Sequence, residues 1–290
     1  MILQGAYTAM ITPFRAGEVD FDRLRANVDY QIEQGIDGLV PVGTTGECPT
    51  LSHEEHRDVI KAVVEQAAGR VKVIAGTGSN STTEALHLTK HAKDVGADAA
   101  LIVNPYYNKP NQQGLYRHFM HLADNVDIPI VLYNIPGRTG ITMEALTVAR
   151  LSKHPNIVAI KEATGSCDMT SEIRQLTDLT IVSGDDSLTL PLMSIGASGV
   201  ISVLSNLIPA KLKSLTAAAL AGNYQEALKH HNDIFPLCKA CLTLATNPIT
   251  IKTAMAICGR DTGELRLPLC EMPTASRASL EDLLREHNIH

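Results

Sequence analysis

Eight short apolar runs rich in β-branched residues alternate with stretches of helical spacing, and this alternation limits the fold more than any other feature of the chain. The runs are Ala6–Ile11, Gly38–Val42, Val71–Ala75, Ala99–Val103, Ile130–Tyr133, Ile157–Lys161, Thr180–Ser183 and Gly199–Ser202. Between them, Phe21, Leu24, Val28 and Ile32 fall on one helix face, as do Ala85, Leu88, Ala92 and Val95. Leu115, Phe119, Leu122 and Val126 repeat the pattern, and Leu188, Leu192 and Ile195 do so more briefly. Ser52 followed by Glu55 three residues later is a capping box that announces one of these helices.

Strict strand–helix alternation implies a parallel sheet with right-handed crossovers. Eight units in roughly 220 residues match a (β/α)8 TIM barrel in count and length. The competitor is an open doubly wound sheet with a glycine-rich phosphate loop. Gly76-Thr77-Gly78-Ser79-Asn80-Ser81 starts like that loop but lacks its third glycine, and it follows the third run rather than the first. Nucleotide binding is therefore disfavoured.

Past Gly222 the alternation stops. The expectation is a catalytic barrel over residues 1–222 and, over 223–290, a C-terminal helical appendage packed on it. Tyr224–Ala245 reads as a helix kinked at Pro236. Asn247 reads as a cap with Pro248 at the first helical position, opening a helix to about Ile257. Ser276 or Ser279 opens a last helix to about Glu286.

Composition removes several classes of function. The 290 residues are 44% hydrophobic and carry a formal net charge of -6, so no basic surface for nucleic acid is expected. The first residues lack the charged-then-apolar pattern of a signal peptide. No apolar run approaches the roughly 18 residues that span a membrane. A cytoplasmic protein is expected. Six scattered cysteines in a chain of this size form no disulfide framework. Cys238 and Cys241 have CxxC spacing but lie in an apolar helical pattern without a second pair, which suits buried helix cysteines better than a metal or redox site.

In a parallel barrel the strand ends and the loops after them face one pocket. Collecting them gives Gly43-Thr44-Thr45-Gly46-Glu47, Asn104-Pro105-Tyr106-Tyr107, Tyr133-Asn134-Ile135-Pro136-Gly137-Arg138, Lys161, Gly184-Asp185-Asp186 and Ile201-Ser202. Lys161 is the one lysine at such an end. A lysine there either bends to water or is held where its charge is costly. An ordinary lysine amine is free of its proton on the order of four times in ten thousand at pH 7, and burial can raise that several hundredfold. Such an amine condenses with a ketone to a Schiff base, whose iminium is an electron sink. Carbinolamine formation needs a proton shuttle, and Tyr133 on the adjacent run is the natural phenol. The glycine-flanked Thr44-Thr45 turn offers N–H groups and hydroxyls suited to a carboxylate.

Together, Gly43-Thr44-Thr45-Gly46-Glu47, Tyr133-Asn134-Ile135-Pro136-Gly137-Arg138-Thr139-Gly140 and Ile160-Lys161-Glu162-Ala163 resemble the dihydrodipicolinate synthase family, pyruvate-type class I aldolases that include N-acetylneuraminate lyases. The resemblance runs along the whole chain, through Asn104-Pro105-Tyr106-Tyr107, Ser183-Gly184-Asp185-Asp186, Gly199-Val200-Ile201-Ser202, Asn247-Pro248-Ile249 and Arg266-Leu267-Pro268-Leu269. It implies that Lys161 forms the Schiff base with pyruvate and that Tyr133 moves the protons. Thr44 and Tyr107 would complete the relay, Tyr107 reaching in from a neighbouring subunit. Thr45 would bind the pyruvate carboxylate, with Ile201 and Gly184 bordering the substrate. Arg138 would hold the carboxylate of L-aspartate 4-semialdehyde.

Arg138 also separates the branches of the family. A short second substrate with its own carboxylate suits a planar guanidinium, whereas a sugar chain calls for neutral hydrogen-bonding groups. The synthase branch, serving lysine and diaminopimelate biosynthesis, is expected. The alternatives are a lyase for N-acetylneuraminate or a sugar-derived keto acid, and a non-catalytic keto-acid sensor. No metal or organic cofactor is expected, because the lysine supplies the electron sink. A homo-oligomer, a tetramer as a dimer of dimers, follows if Tyr107 serves a neighbour.

A second cluster comprises His53, His56, Asn80, Glu84 and Tyr106. His53-Glu54-Glu55-His56 lacks the four-residue separation of the HExxH zinc arrangement, and by composition alone the cluster reads as a solvated face. In lysine-inhibited members of the family, equivalent positions bind L-lysine, so the resemblance implies feedback inhibition, with Pro49 beside the cluster as a feature that could reshape it.

Overall fold

The computed structural model describes residues 3–290. Eight strands form and close: β1 (Gly5–Ala9), β2 (Gly38–Val40), β3 (Lys72–Gly76), β4 (Ala99–Val103), β5 (Ile130–Asn134), β6 (Ile157–Glu162), β7 (Thr180–Ser183) and β8 (Gly199–Ser202). Each pairs in parallel with its neighbours in sequence, and β8 returns to β1, giving the expected TIM barrel. A two-stranded hairpin, Phe14–Arg15 with Glu18–Val19, lies between β1 and the first helix. Its turn residues Ala16 and Gly17 both have positive φ, as a tight hairpin turn requires.

A helix follows every strand: α1 (Phe21–Glu33), α2 (His53–Ala67), α3 (Thr82–Asp94), α4 (Gln112–Asn125), α5 (Ala145–Leu151), α6 (Cys167–Leu176), α7 (Thr189–Ser194) and α8 (Pro209–Leu220). Caps set several starts. Asp20, Ser52, Ser81, Asn111 and Ser166 each accept the N–H three residues on. Such a cap contributes about 1 kcal/mol. At Ser52 the reciprocal bond from its N–H to Glu55 completes the predicted capping box.

Apolar side chains form two layers. Leu3, Tyr7, Leu101, Val131, Tyr133 and Val182 belong to a cluster inside the barrel, and a larger cluster fills the space between strands and helices. Tyr7 fixes one glycine: a Cβ on Gly38 would lie 2.5 Å from the Tyr7 ring, so only hydrogen fits there. Gly78, in the discounted phosphate-loop sequence, also serves packing, since a Cβ there would sit 2.4 Å from Val103 N.

Beyond residue 222 come α9 (Tyr224–Thr243), α10 (Ile249–Ile257) and α11 (Thr274–Glu286), a C-terminal helical extension. Asn223 caps α9, which runs as one helix through Pro236. Two expected boundaries need correction. Pro248 itself is the cap of α10, and Asn247 stands before it with its side chain committed elsewhere. The last helix starts at Thr274, directly after Pro273, so Ser276 and Ser279 both lie inside it. Among the described residues, no helix is long and apolar enough to cross a membrane. All six cysteines are free thiols.

Candidate active site

The register between β5 and β6 places Tyr133 opposite Lys161 and Asn134 opposite Glu162. Side chains alternate across a strand, so Tyr133 and Lys161 share one side while Asn134 and Glu162 share the other. The Lys161 amine sits 4.1 Å from the centre of the Tyr133 ring. Both residues are 6% exposed. Lys161 therefore does not bend to water; it ends in a cavity of about 100 Å³ at the strand ends. That is smaller than the roughly 300 Å³ and upward of drug-sized sites and suits a substrate of a few carbons.

A buried network on the far side holds the two strand ends together. Asn134 Nδ2 donates to Glu162 Oε2 at 3.3 Å, and Asn134 Oδ1 accepts from Asn104 and from the Met143 N–H. Glu162 Oε1 accepts the Thr164 N–H at 2.7 Å. Burial raises the Glu162 carboxyl above its usual range, while Thr164 and Asn134 pull the other way.

Thr44, Thr45, Arg138 and Gly184 line the same cavity as Lys161 and Tyr133. β2 ends at Val40, two residues earlier than expected, because Val42 takes a left-handed φ of 57°. For a β-branched residue that is a strained conformation, and strain of this kind collects at working sites. In the turn, the Gly46 and Glu47 N–H groups donate back to the Gly43 and Thr44 carbonyls. The N–H groups of Gly43, Thr44 and Thr45 make no such bond and remain as donors for an anion nest.

Gly184 borders the cavity for a packing reason. A Cβ there would lie 3.1 Å from Lys161 Cε and 2.6 Å from Ala163 Cβ. Next to it, burial raises the Asp185 carboxyl, opposed by the Lys161 charge. Asp186 is buried, and its Oδ2 accepts the N–H groups of Val203 and Leu204, tying the end of β7 to the loop after β8. Ile201 is buried within β8 in the inner cluster.

Arg138 stands on a one-turn helix, Pro136–Thr139, with its guanidinium exposed. Its protein partner is not an acid but the backbone carbonyl of Asn247, at 3.1 Å. Tyr107 is not brought to the cavity by its own chain: it projects outward, 89% exposed, with φ 71°.

Some lining residues escaped the sequence reading. Cys238, Cys241, Leu242 and Asn247 line the cavity from the extension. Burial pushes the Cys241 thiol up to about 12 and the Cys238 thiol up as well, so both are poor nucleophiles. The signals the sequence carries here are the CxxC spacing of Cys238 and Cys241 and the Asn247-Pro248 pair, and neither points to a cavity wall.

The second cluster forms a separate cavity of about 340 Å³ lined by His53, His56, Glu84 and Tyr106, with Cys48 and Pro49. Asn80 is not among its lining residues. Glu84 accepts from Ser79 Oγ at 2.7 Å and lies 3.5 Å from His53 Nε2. His56 departs from the solvated-face expectation: it is buried, and its Nε2 bonds the Gly76 carbonyl at 2.8 Å. Burial lowers its proton affinity.

The dihydrodipicolinate synthetase family model matches residues 2–287. The 4-hydroxy-tetrahydrodipicolinate synthase of Endomicrobium trichonymphae is 51% identical, over 99% of this chain and 99% of its own length. The chloride-inhibited dihydrodipicolinate synthase from Acinetobacter baumannii, solved with pyruvate, superposes with a TM-score of 0.96 at 45% identity, covering 99% of each chain. The Cyanidioschyzon merolae enzyme, solved with lysine bound, gives a TM-score of 0.96 at 39% identity, again over 99% of both chains. With this match along nearly its full length and a lysine–tyrosine pair at adjacent strand ends of the barrel, the chain belongs to the dihydrodipicolinate synthetase family.

Proposed function

We propose that Lys161 is the Schiff-base lysine with which this chain condenses pyruvate and L-aspartate 4-semialdehyde. The observation that carries the assignment is the pairing of the buried Lys161 amine with the Tyr133 ring at 4.1 Å, at the mouth of a barrel. The amine adds to the pyruvate ketone, and loss of water leaves an iminium. A proton then leaves the methyl carbon to give an enamine. Tyr133 delivers and removes these protons, with Thr44 as its hydroxyl partner. The enamine carbon attacks the aldehyde of the semialdehyde and forms the new C–C bond. The amine of the adduct next attacks the iminium carbon, closing the ring and expelling Lys161.

Thr45 binds the pyruvate carboxylate, Arg138 the carboxylate of the semialdehyde, and Gly184 and Ile201 border the keto acid. Tyr107 completes the relay in a neighbouring subunit. Its outward position supports that reading, because a large exposed aromatic is the sort of anchor an interface buries. A homo-oligomer, built as a tetramer from two dimers, is the assembly we assign. The barrel through residue 222 is the catalytic unit and the helices beyond it an appendage.

L-lysine is the assigned inhibitor at the second cavity, where Glu84 would meet an ammonium and Tyr106 and Asn80 the backbone groups. The test of the catalytic assignment is borohydride reduction in the presence of pyruvate, followed by peptide mass mapping. An adduct on Lys161 is expected, and its absence would overturn the assignment.

A further inference from the structure

Asn247 comes from the segment between α9 and α10, yet it touches both groups assigned above to carboxylates. Its Nδ2 donates to Thr45 Oγ1 at 3.1 Å across 202 residues of chain. Its backbone carbonyl accepts from the Arg138 guanidinium at 3.1 Å. All three residues line the Lys161 cavity. A threonine hydroxyl has one proton to give and lone pairs to accept with. Because Asn247 occupies a lone pair of Thr45, the Thr45 O–H is left to donate in another direction.

We infer that Asn247 is a positioning residue: its side chain aims the Thr45 hydroxyl proton at the pyruvate carboxylate, and its main chain braces Arg138 for the second carboxylate. This rests on the aldolase reading above. The two arms are chemically separable. Substituting the side chain removes the Thr45 arm and leaves the carbonyl that holds Arg138, so pyruvate binding should change while semialdehyde binding does not. A general loosening of the loop would move both.

The experiment measures the pyruvate dependence of borohydride trapping on Lys161, with KM for each substrate and kcat, in wild type, Asn247→Ala, Asn247→Asp, Thr45→Val and the Thr45→Val/Asn247→Ala double variant. Loss of one aligned hydrogen bond to a charged group predicts about ten- to a hundredfold weaker pyruvate binding in Asn247→Ala. The semialdehyde KM and kcat should stay within about twofold. Asn247→Asp should bind pyruvate more weakly still, since its carboxylate captures the Thr45 proton and repels the substrate anion. Being nearly isosteric, it carries the test should the alanine variant not fold. In the Thr45→Val background, Asn247→Ala should add nothing.

Unchanged pyruvate dependence in both single variants overturns the inference, as does an equal rise in both KM values or additivity in the double variant. Absence of trapping in wild type would instead strike the aldolase reading itself.

Discussion

Lys252 on α10 and Glu47 after β2 form an ion pair at 2.7 Å in which neither side chain reaches solvent. The same ammonium donates to the Thr12 carbonyl at 2.9 Å and lies 4.3 Å from the centre of the Phe14 ring. The other oxygen of Glu47 accepts the Arg266 N–H at 3.2 Å. The turn that carries Thr44 and Thr45 is thereby pinned to the extension from below. Removing one partner of such a pair strands a buried charge and costs about 3–5 kcal/mol, whereas replacing both with apolar residues is often close to neutral. Lys252→Met should therefore lower stability by that order in denaturant melts, and Lys252→Met/Glu47→Leu should recover most of it. Equal stability of the single variant and wild type would refute the pinning role.

His118 on α4 makes stability depend on pH. It is buried, its Nδ1 lies 2.9 Å from Thr82 Oγ1, and burial followed by the His121 charge lowers it from 6.5 to about 4. The unfolded chain takes up this proton near 6.5 and the folded chain only near 4. Stability is thus fully present above pH 6.5, falls as pH drops toward about 4, and is flat below for this group. The span amounts to about 3 kcal/mol. Melting temperatures of wild type and His118→Gln across that window should converge as pH falls; parallel curves would exclude the assignment.

Gly184→Ala introduces a methyl 2.6 Å from Ala163 Cβ and 3.1 Å from Lys161 Cε. Crowding of this kind costs about 1–3 kcal/mol, and here it falls on Ala163 and on the side chain proposed to form the Schiff base. We expect kcat to drop about tenfold or more, together with a lowered melting temperature. Full turnover would mean that the lysine has room to move aside.

Tyr107→Phe keeps the aromatic surface and removes the hydroxyl. If Tyr107 serves a neighbour's relay, turnover should fall about a hundredfold while sedimentation shows unchanged assembly. Wild-type turnover in the variant would eliminate Tyr107 from the relay.

L-lysine titrated into the assay should reduce activity with saturation in the millimolar range, and Glu84→Ala should abolish that response without changing uninhibited turnover. No loss of activity in wild type at millimolar lysine would remove the second cavity from regulation.

The barrel was legible because each strand–helix unit carries its own periodicity, and eight local patterns add up to one closed topology. Lys161 and Tyr133 were legible for a related reason: adjacent strand ends stay adjacent once the register is set. Asn247 was not, because its partner Thr45 is 202 residues away and nothing local distinguishes it from a helix cap. His56 was misplaced because histidine reads as polar while its ring packs like an aromatic, and only the carbonyl of Gly76 reveals the inward face. Tyr107 shows a different limit, since a residue whose proposed role lies in a second copy leaves no trace in the packing of its own chain.

Leu3 and Tyr7 belong to the packed interior of the barrel, so the chamber holding Lys161 is a well with a floor rather than a tunnel. A chamber closed at one end by packed side chains confines whatever enters it to the strand-end side of the barrel, where Thr44, Thr45, Arg138 and Gly184 line the wall.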